Sequence, residues 1–338
     1  MKLSSASLAL VLLAAGTLTA KETGYHVARK VPVAGAGTYY DFLAFAPDSR
    51  RLYVSFGGEV AVLDGDKHTL IGTLAGAKKV HGMVEAAGRV FVTDGGGDRV
   101  LVHDARSLKP VGEVKAGKNP DAILYDPASR QVFAFNHSAG TVTVIDPASL
   151  AVKATIDAPG ALEVGRADGK GTVWVNVEDK HELVRIDARK NTVTAHWPLA
   201  PCQEPTGLGF DAKARRLFVG CGNKLLAVVN ADTGAVITTL PIGPDVDGAD
   251  YDPGTRTVFA SCGGDGTLAV IKQESADKYS LVAHVATQAR AKTMTLDPRS
   301  HRVYLSAASF TTPAPSATDP RPRGALVPSS FNVLVVEP

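Results

Sequence analysis

Residues 126–146 read DPASRQVFAFNHSAGTVTVID, and the order of parts in this stretch decides the fold. An Asp-Pro-Ala-Ser turn opens it, a strand centred on Phe133 follows, a second turn carries Asn and Gly, and an alternating strand closes on Asp146. Apolar alternation of period two between turn residues is the pattern of β-strands. The same order returns as DAKARRLFVGCGNKLLAVVN at 211–230 and as DPGTRTVFASCGGDGTLAVIK at 252–272. Aligned on the strand aromatic, the units fall at Tyr53, Phe91, Phe133, Trp174, Phe218, Phe259 and Tyr304, with steps of 38, 42, 41, 44, 41 and 45. Seven units of this length are the signature of a seven-bladed β-propeller with four-stranded blades.

The third strand of each unit ends on a polar residue, at Asp64, Asp104, Asp146, Asp187 and Asn230. A polar turn and another alternating run follow each one, such as PVGEVKA at 110–116 or AVITTLPI at 235–242, and these are fourth, outer strands. Unit seven stops after its third strand at VLVVEP (333–338), whereas YHVARKVPV (25–33) is an isolated fourth strand. The N-terminal strand is therefore expected to complete blade seven and close the ring, removing two open sheet edges. In that strand His26 and Lys30 alternate on a solvated outer face. Two stacked sandwiches, the competing all-β arrangement, would show no period near 41. Two departures stand out: unit two has AAGR (86–89) in place of an Asp-Pro turn, and unit six ends its third strand on Lys272.

Lys+Arg total 36 against Asp+Glu 34, a net charge of +2 with the two signs interspersed, so a nucleic-acid partner is not expected. Residues 1–20 have Lys2 as their only charge, an apolar run from Leu8 to Ala15 and small residues through Ala20, the pattern of a signal peptide cleaved after Ala20 or Gly16. This predicts a single propeller over 21–338 in a periplasmic or secreted protein. The apolar run is too short to span a bilayer, which takes roughly 20 residues. Three cysteines are few for such a chain, so a large core must hold the fold. Cys202 precedes the inner strand of unit five by a few residues and Cys221 ends the strand paired with it, so a Cys202–Cys221 disulfide is expected, with Cys262 free; three reduced thiols are the alternative.

Aligning the turns places Asp41, His81, Asp121, Glu163, Thr206, Asp247 and Lys292 at the start of each inner strand, with Glu204 close by. In a propeller these seven positions converge on one mouth of the central channel. A divalent cation or a small polar ligand would suit such a ring: Asp121, Glu163 and Asp247 offer hard oxygen for Ca²⁺ or Mg²⁺, and His81 with two carboxylates offers a Zn²⁺ or Mn²⁺ set. The same positions suit an Asp that only caps a turn. His137 and His181 occupy inter-strand loops that read as equivalent and place them to rim the channel, although a lone loop histidine is usually just exposed. Trp174 and Trp197 sit where aromatics pack between blades. The glycines at 95–97 form a hairpin loop with no helix behind them to receive a phosphate. No G-x-S-x-G, H-E-x-x-H, P-loop or C-x-x-C-H sequence is present. In unit seven, residues 311–330 (TTPAPSATDPRPRGALVPSS) replace a short turn, a Pro-rich insertion expected on the same mouth as the ring and able to serve as a lid or a docking arm.

RRLYVS, VFVTDGGG, GKNPDAILYDPASR, VTVIDPASL and ADGKGTVWVNVEDK also resemble the YVTN-repeat, YncE-like propellers, and the likeness runs through residues 25–338. The resemblance implies an exported binding or interaction scaffold with an unnamed small polar ligand or protein partner. The other expectation is a metal-assisted, lactonase-like hydrolase using the same mouth, by analogy with lactone-hydrolysing propellers.

Overall fold

Seven four-stranded antiparallel sheets form, and each is built from strands consecutive in sequence except the last. The computed structural model describes residues 24–35, 37–312 and 324–338. The expected signal segment at 1–20 and the centre of the insertion, 313–323, lie outside these. We label the strands of each blade a to d from the channel outward. Blade three, for example, comprises Pro120–Asp126, Gln131–Asn136, Thr141–Ile145 and Val152–Asp157. The only helix among the described residues is one 3₁₀ turn, Glu178–Lys180. None is long and apolar enough to cross a membrane.

The b and c strands are apolar on both faces because each blade is sandwiched between two others. In blade three, Phe133, Phe135, Val142 and Val144 face Val173, Val175, Val184 and Ile186 of blade four. Their alternate neighbours Val132, Ala134 and Ile145 face Phe91, Val100 and Val102 of blade two. Seven such layers make up the core, one per interface between blades. All seven aromatics that define the repeat are fully buried in them. Burying each is worth about 1.5–3 kcal/mol.

The polar residues ending the c strands tie down the turns that follow. Asp64 accepts the N–H groups of Asp66 and Lys67, Asp146 those of Ala148 and Ser149, and Asp187 those of Arg189 and Lys190. These are Asx turns, and the donated N–H groups hold the carboxylates below their ordinary pKa. In blade six, where Lys272 replaces the Asp, no Asx turn stops the strands and c and d run on as a nine-residue hairpin, Thr267–Ser275 and Lys278–Ala286.

The N-terminal strand His26–Pro32 is strand d of blade seven, pairing antiparallel with Asn332–Glu337 from His26↔Glu337 to Pro32↔Asn332. A second closure lies on the face of the a–b turns. Arg50 of blade one binds Asp297 of blade seven through two parallel hydrogen bonds of 2.7 Å, and Asp297 is fully buried. The base of the insertion packs at the opposite face, where the Arg290 guanidinium stacks 4.0 Å over Phe310 and Phe310 bridges to Leu326. Tyr40, beside the blade-one ring position, donates its hydroxyl to the Arg290 carbonyl.

Cys202 and Cys221 are disulfide-bonded with Cα atoms 5.4 Å apart, and Cys262 is free and buried. Within blade five, Phe210 pairs with Leu217 and, beyond a bulge, Pro205 with Cys221, which brings the loop ahead of strand a back over the end of strand b.

Two predictions follow from these contacts. Burial raises the Asp297 pKa, but the Arg50 and Ser300 hydrogen bonds outweigh it and hold the carboxyl below its ordinary value. Asp297→Asn should therefore cost about 3 kcal/mol near neutral pH, as expected when a buried pair loses one partner. Because the folded pKa is the lower one, that contribution is full above the unfolded value of about 3.9 and fades as pH falls through the folded value. Denaturation curves should show the mutant and wild type converging only below about pH 4. For the cysteines, non-reducing peptide mapping of protein from an oxidising compartment should recover a Cys202–Cys221 peptide. Replacing both with Ser should destabilise by roughly 3 kcal/mol.

Candidate functional site

The inner strands carry their ring residues at defects in the β-ladder. Register shifts fall at Val80/Met83, Pro120/Ile123, Leu162/Gly165, Pro205/Leu208 and Val246/Gly248, each enclosing one ring position: His81, Asp121, Glu163, Thr206 or Asp247. In blades one and seven, Asp41 and Lys292 lie just before the ladder begins at Leu43 and Met294. A bulge frees a residue from pairing and re-aims its side chain. The freed backbone groups are taken up by small polar side chains on the b strands. Thr93 accepts from Gly82 N–H and donates to the Asp121 carbonyl of the next blade; Asn176 donates to the Thr206 and Gly207 carbonyls. Ser55 accepts from Asp41 N–H, and Ser261 and Ser306 reach the Lys292 and Asp41 carbonyls. Thr206 donates its own hydroxyl to the Val246 carbonyl, so this ring member is spent on joining blades.

Three blades contribute to one charged group. His81 Nδ1 lies 2.6 Å from Asp41 Oδ2, 2.8 Å from Asp121 Oδ1 and 2.7 Å from the Tyr39 hydroxyl, while Tyr39 also hydrogen-bonds Asp41. Three oxygens thus crowd a nitrogen that carries at most one hydrogen. With that hydrogen directed to Asp41, Asp121 Oδ1 is buried without a donor, and His81 Nε2 is unpartnered as well. Burial disfavours charge on His81, but the bonds to Asp121 and Asp41 outweigh it and hold the pKa up to about 9. The Tyr39 hydroxyl is pushed up by burial and by Asp41. Gly95 makes room for the imidazole: a Cβ there would lie 2.6 Å from His81 Nε2 and 2.5 Å from Asn119 Oδ1.

A second group adjoins the first. His137 Nδ1 lies 3.1 Å from Glu163 Oε1 and 3.2 Å from the Leu162 carbonyl oxygen. Burial, with Asp121 and Asp247 nearby, pushes the Glu163 carboxyl above the usual range, and the bond to Glu163 raises His137. Ligand-capable atoms of Asp41, His81 and Asp121 all fall within 4.8 Å of one another, and so do those of Asp121, His137 and Glu163.

The oxygen set expected for Ca²⁺ or Mg²⁺, Asp121 with Glu163 and Asp247, is not what the ring assembles. Asp247 is ion-paired with Lys292, and it belongs to neither close group among the described residues. Burial pushes its carboxyl up to about 6 against the pull of that lysine. Glu204 is exposed and two residues ahead of Thr206, on an outer tier with Lys79, Asn119, Asp245 and Arg290; its N–H goes to His181 Nδ1 and its side chain lies over Gly222. His137 and His181 are not equivalent. His137 directly follows strand b, where four other blades have Gly57, Gly95, Gly222 and Gly263, whereas His181 lies past the 3₁₀ turn and is exposed. The glycine background at that position is the signal that singles out His137. Tyr39 stands two residues before its ring position, where each of the seven units has a different residue, so nothing in the repeat points to it. Beneath the ring, the channel holds a cavity of about 480 Å³ walled by Phe42, Met83, Ile123, Val164 and Phe210, with Asp247 on its lining.

Comparison with known proteins agrees with this architecture. No family model matches the chain. An uncharacterised YncE protein of Salmonella typhi is 29% identical over 168 residues, covering 46% of this chain and 47% of the relative. The YncE of Salmonella typhimurium is 28% identical over the same length. Dihydro-heme d1 dehydrogenase of Pseudomonas aeruginosa is 25% identical over 214 residues, 59% of this chain and 43% of that protein. The chain thus spans about half the length of the curated relatives it matches. Among solved structures, a chain of the mitotic checkpoint complex superposes with a TM-score of 0.72 at 15% identity, covering 96% of this chain and 100% of that one. One of Kuenenia stuttgartiensis hydrazine synthase gives 0.68 at 16%, covering 80% and 92%. At such identities these two speak for the fold alone. The repeat, the closed seven-bladed ring and the YncE relatives together support a propeller of the YncE-like kind.

Proposed function

We propose that this chain is an exported propeller scaffold whose channel mouth captures a divalent transition-metal ion at Asp41, His81 and Asp121, with Tyr39 as a further donor. The convergence of three oxygens on His81 Nδ1 within 2.8 Å, with too few hydrogens to satisfy them, carries this reading. One imidazole nitrogen with carboxylate and phenol oxygens is a donor set for Zn²⁺ or Mn²⁺ more than for Ca²⁺. The present spacings are those of hydrogen bonds. Metal bonds of about 2.0–2.2 Å require the donors to part by roughly half an ångström, and the ion takes the place of the His81 Nδ1 proton. The cavity of about 480 Å³ beneath the ring leaves space for a small ligand below the ion.

Thermal unfolding with each of Zn²⁺, Mn²⁺, Mg²⁺ and Ca²⁺ tests this. Zn²⁺ or Mn²⁺ should stabilise the fold, by about 2.7 kcal/mol at a hundredfold excess over Kd. Asp121→Asn should abolish the shift and Asp41→Asn should reduce it. Gly95→Ala should weaken it, because the added methyl pushes against the His81 ring and displaces its Nδ1 while every ligand residue is kept. No shift with any of the four ions would overturn the proposal.

A metal-assisted hydrolase acting on lactones is a second reading, favoured by the cavity of about 480 Å³ that adjoins the ring, where apolar side chains such as Phe42 and Met83 stand beside Arg166, Asp168 and Asp247. In that case protein carrying metal should turn over a lactone panel, protein stripped with EDTA should not, and Met83→Trp, which fills the cavity, should remove turnover while leaving metal binding intact.

A further inference from the structure

Resting on the metal reading of the His81 group, we infer that the mouth holds two divalent ions, with Asp121 bridging a second position formed by His137 and Glu163. Three observations carry this. Asp121 is the one residue common to both close groups of ligand-capable atoms, and the two histidines belong to different groups. Asp121 is 8% exposed, its Oδ1 lies 2.8 Å from His81 Nδ1 yet receives no hydrogen when that nitrogen donates to Asp41, and the same carboxylate offers a ligand atom within 4.8 Å of those of His137 and Glu163. His137 stands at a loop position that is Gly in four other blades, and it alone there hydrogen-bonds the neighbouring blade's ring carboxylate.

A carboxylate has two oxygens and can ligate two ions, and paired hydrolytic metals lie about 3.5–4 Å apart. Each ion would receive one imidazole nitrogen and one carboxylate of its own, His81 with Asp41 and His137 with Glu163. Tyr39 is available only to the first. Two dications against the three carboxylates of Asp41, Asp121 and Glu163 leave a net charge of about +1, so water or an oxyanion such as phosphate would complete the coordination. The bulges at Pro120/Ile123 and Leu162/Gly165 hold the shared ligand and its partner on adjacent inner strands.

The test is stoichiometry. Full-length protein saturated with Zn²⁺, passed through gel filtration and analysed by elemental mass spectrometry and calorimetry, should hold two equivalents per chain. His137→Gln and Glu163→Gln should each hold one, Asp41→Asn should hold one, and Asp121→Asn should lose both from the tight-binding range. Cu²⁺ at two equivalents should give a half-field EPR signal from coupled ions, and His137→Gln should remove it. One equivalent in the wild type, unchanged by His137→Gln, would overturn the second position while leaving the His81 site standing. No bound metal would overturn both. Loss of the second equivalent in His196→Ala, whose exposed imidazole lies 2.9 Å from Glu182, would assign it to that surface pair and overturn the inference equally. Melting curves recorded without metal separate a lost ligand from a lost fold.

Discussion

Packing between blades is the constraint on which the rest of this molecule depends. A blade whose b and c strands are apolar on both faces has no stable existence alone, since each face needs a neighbour. Phe133 faces one way and Val132 the other, and both are fully buried only because blades stand on either side. Closure follows from the same requirement. An open array would leave one apolar face and one sheet edge uncovered at each end, and the pairing of His26–Pro32 with Asn332–Glu337 removes them together.

The charged mouth exists because the inner strands do not obey this packing throughout. Their first residues leave the ladder at bulges, and a polar network of Ser55, Thr93, Asn176, Ser261 and Ser306 satisfies the backbone they release. Several of these bonds run from one blade to the ring residue of the next, so the positions of the site are set relative to one another by the same contacts that register the blades. A cluster of like charges is tolerable there because its cost is spread over a scaffold with seven core layers.

The fold was legible because it is written seven times. The aromatic at each b strand, the Asp that ends four of the c strands and the unmatched run at 25–33 are local signals that repetition amplifies. Most of the ring could be placed by the same alignment. What alignment could not give was pairing within the ring. Asp247 and Asp121 occupy the same position in their units, yet one neighbours Lys292 and the other His81, and only the geometry of adjacent blades separates them. Tyr39 was invisible because it departs from the repeat at a position where every unit differs. His137 is legible in sequence only as one of two loop histidines able to rim the channel, because the 3₁₀ turn Glu178–Lys180, which shifts His181 by three residues, leaves no mark that separates them.

The pairing that closes blade seven also orders events in time. Strand His26–Pro32 is made before any other strand described here, and its partner Asn332–Glu337 is made after all the others. Until synthesis reaches that partner, the ring has an unsatisfied edge at each end of the chain, and joining them closes a loop of almost the whole propeller. Contacts of such sequence separation form slowly, and exposed edges meanwhile recruit other strands. The same pairing that seals the finished ring thus makes its last-formed contact the one of longest sequence separation, and the interval before it forms is when the blade edges are open to other chains.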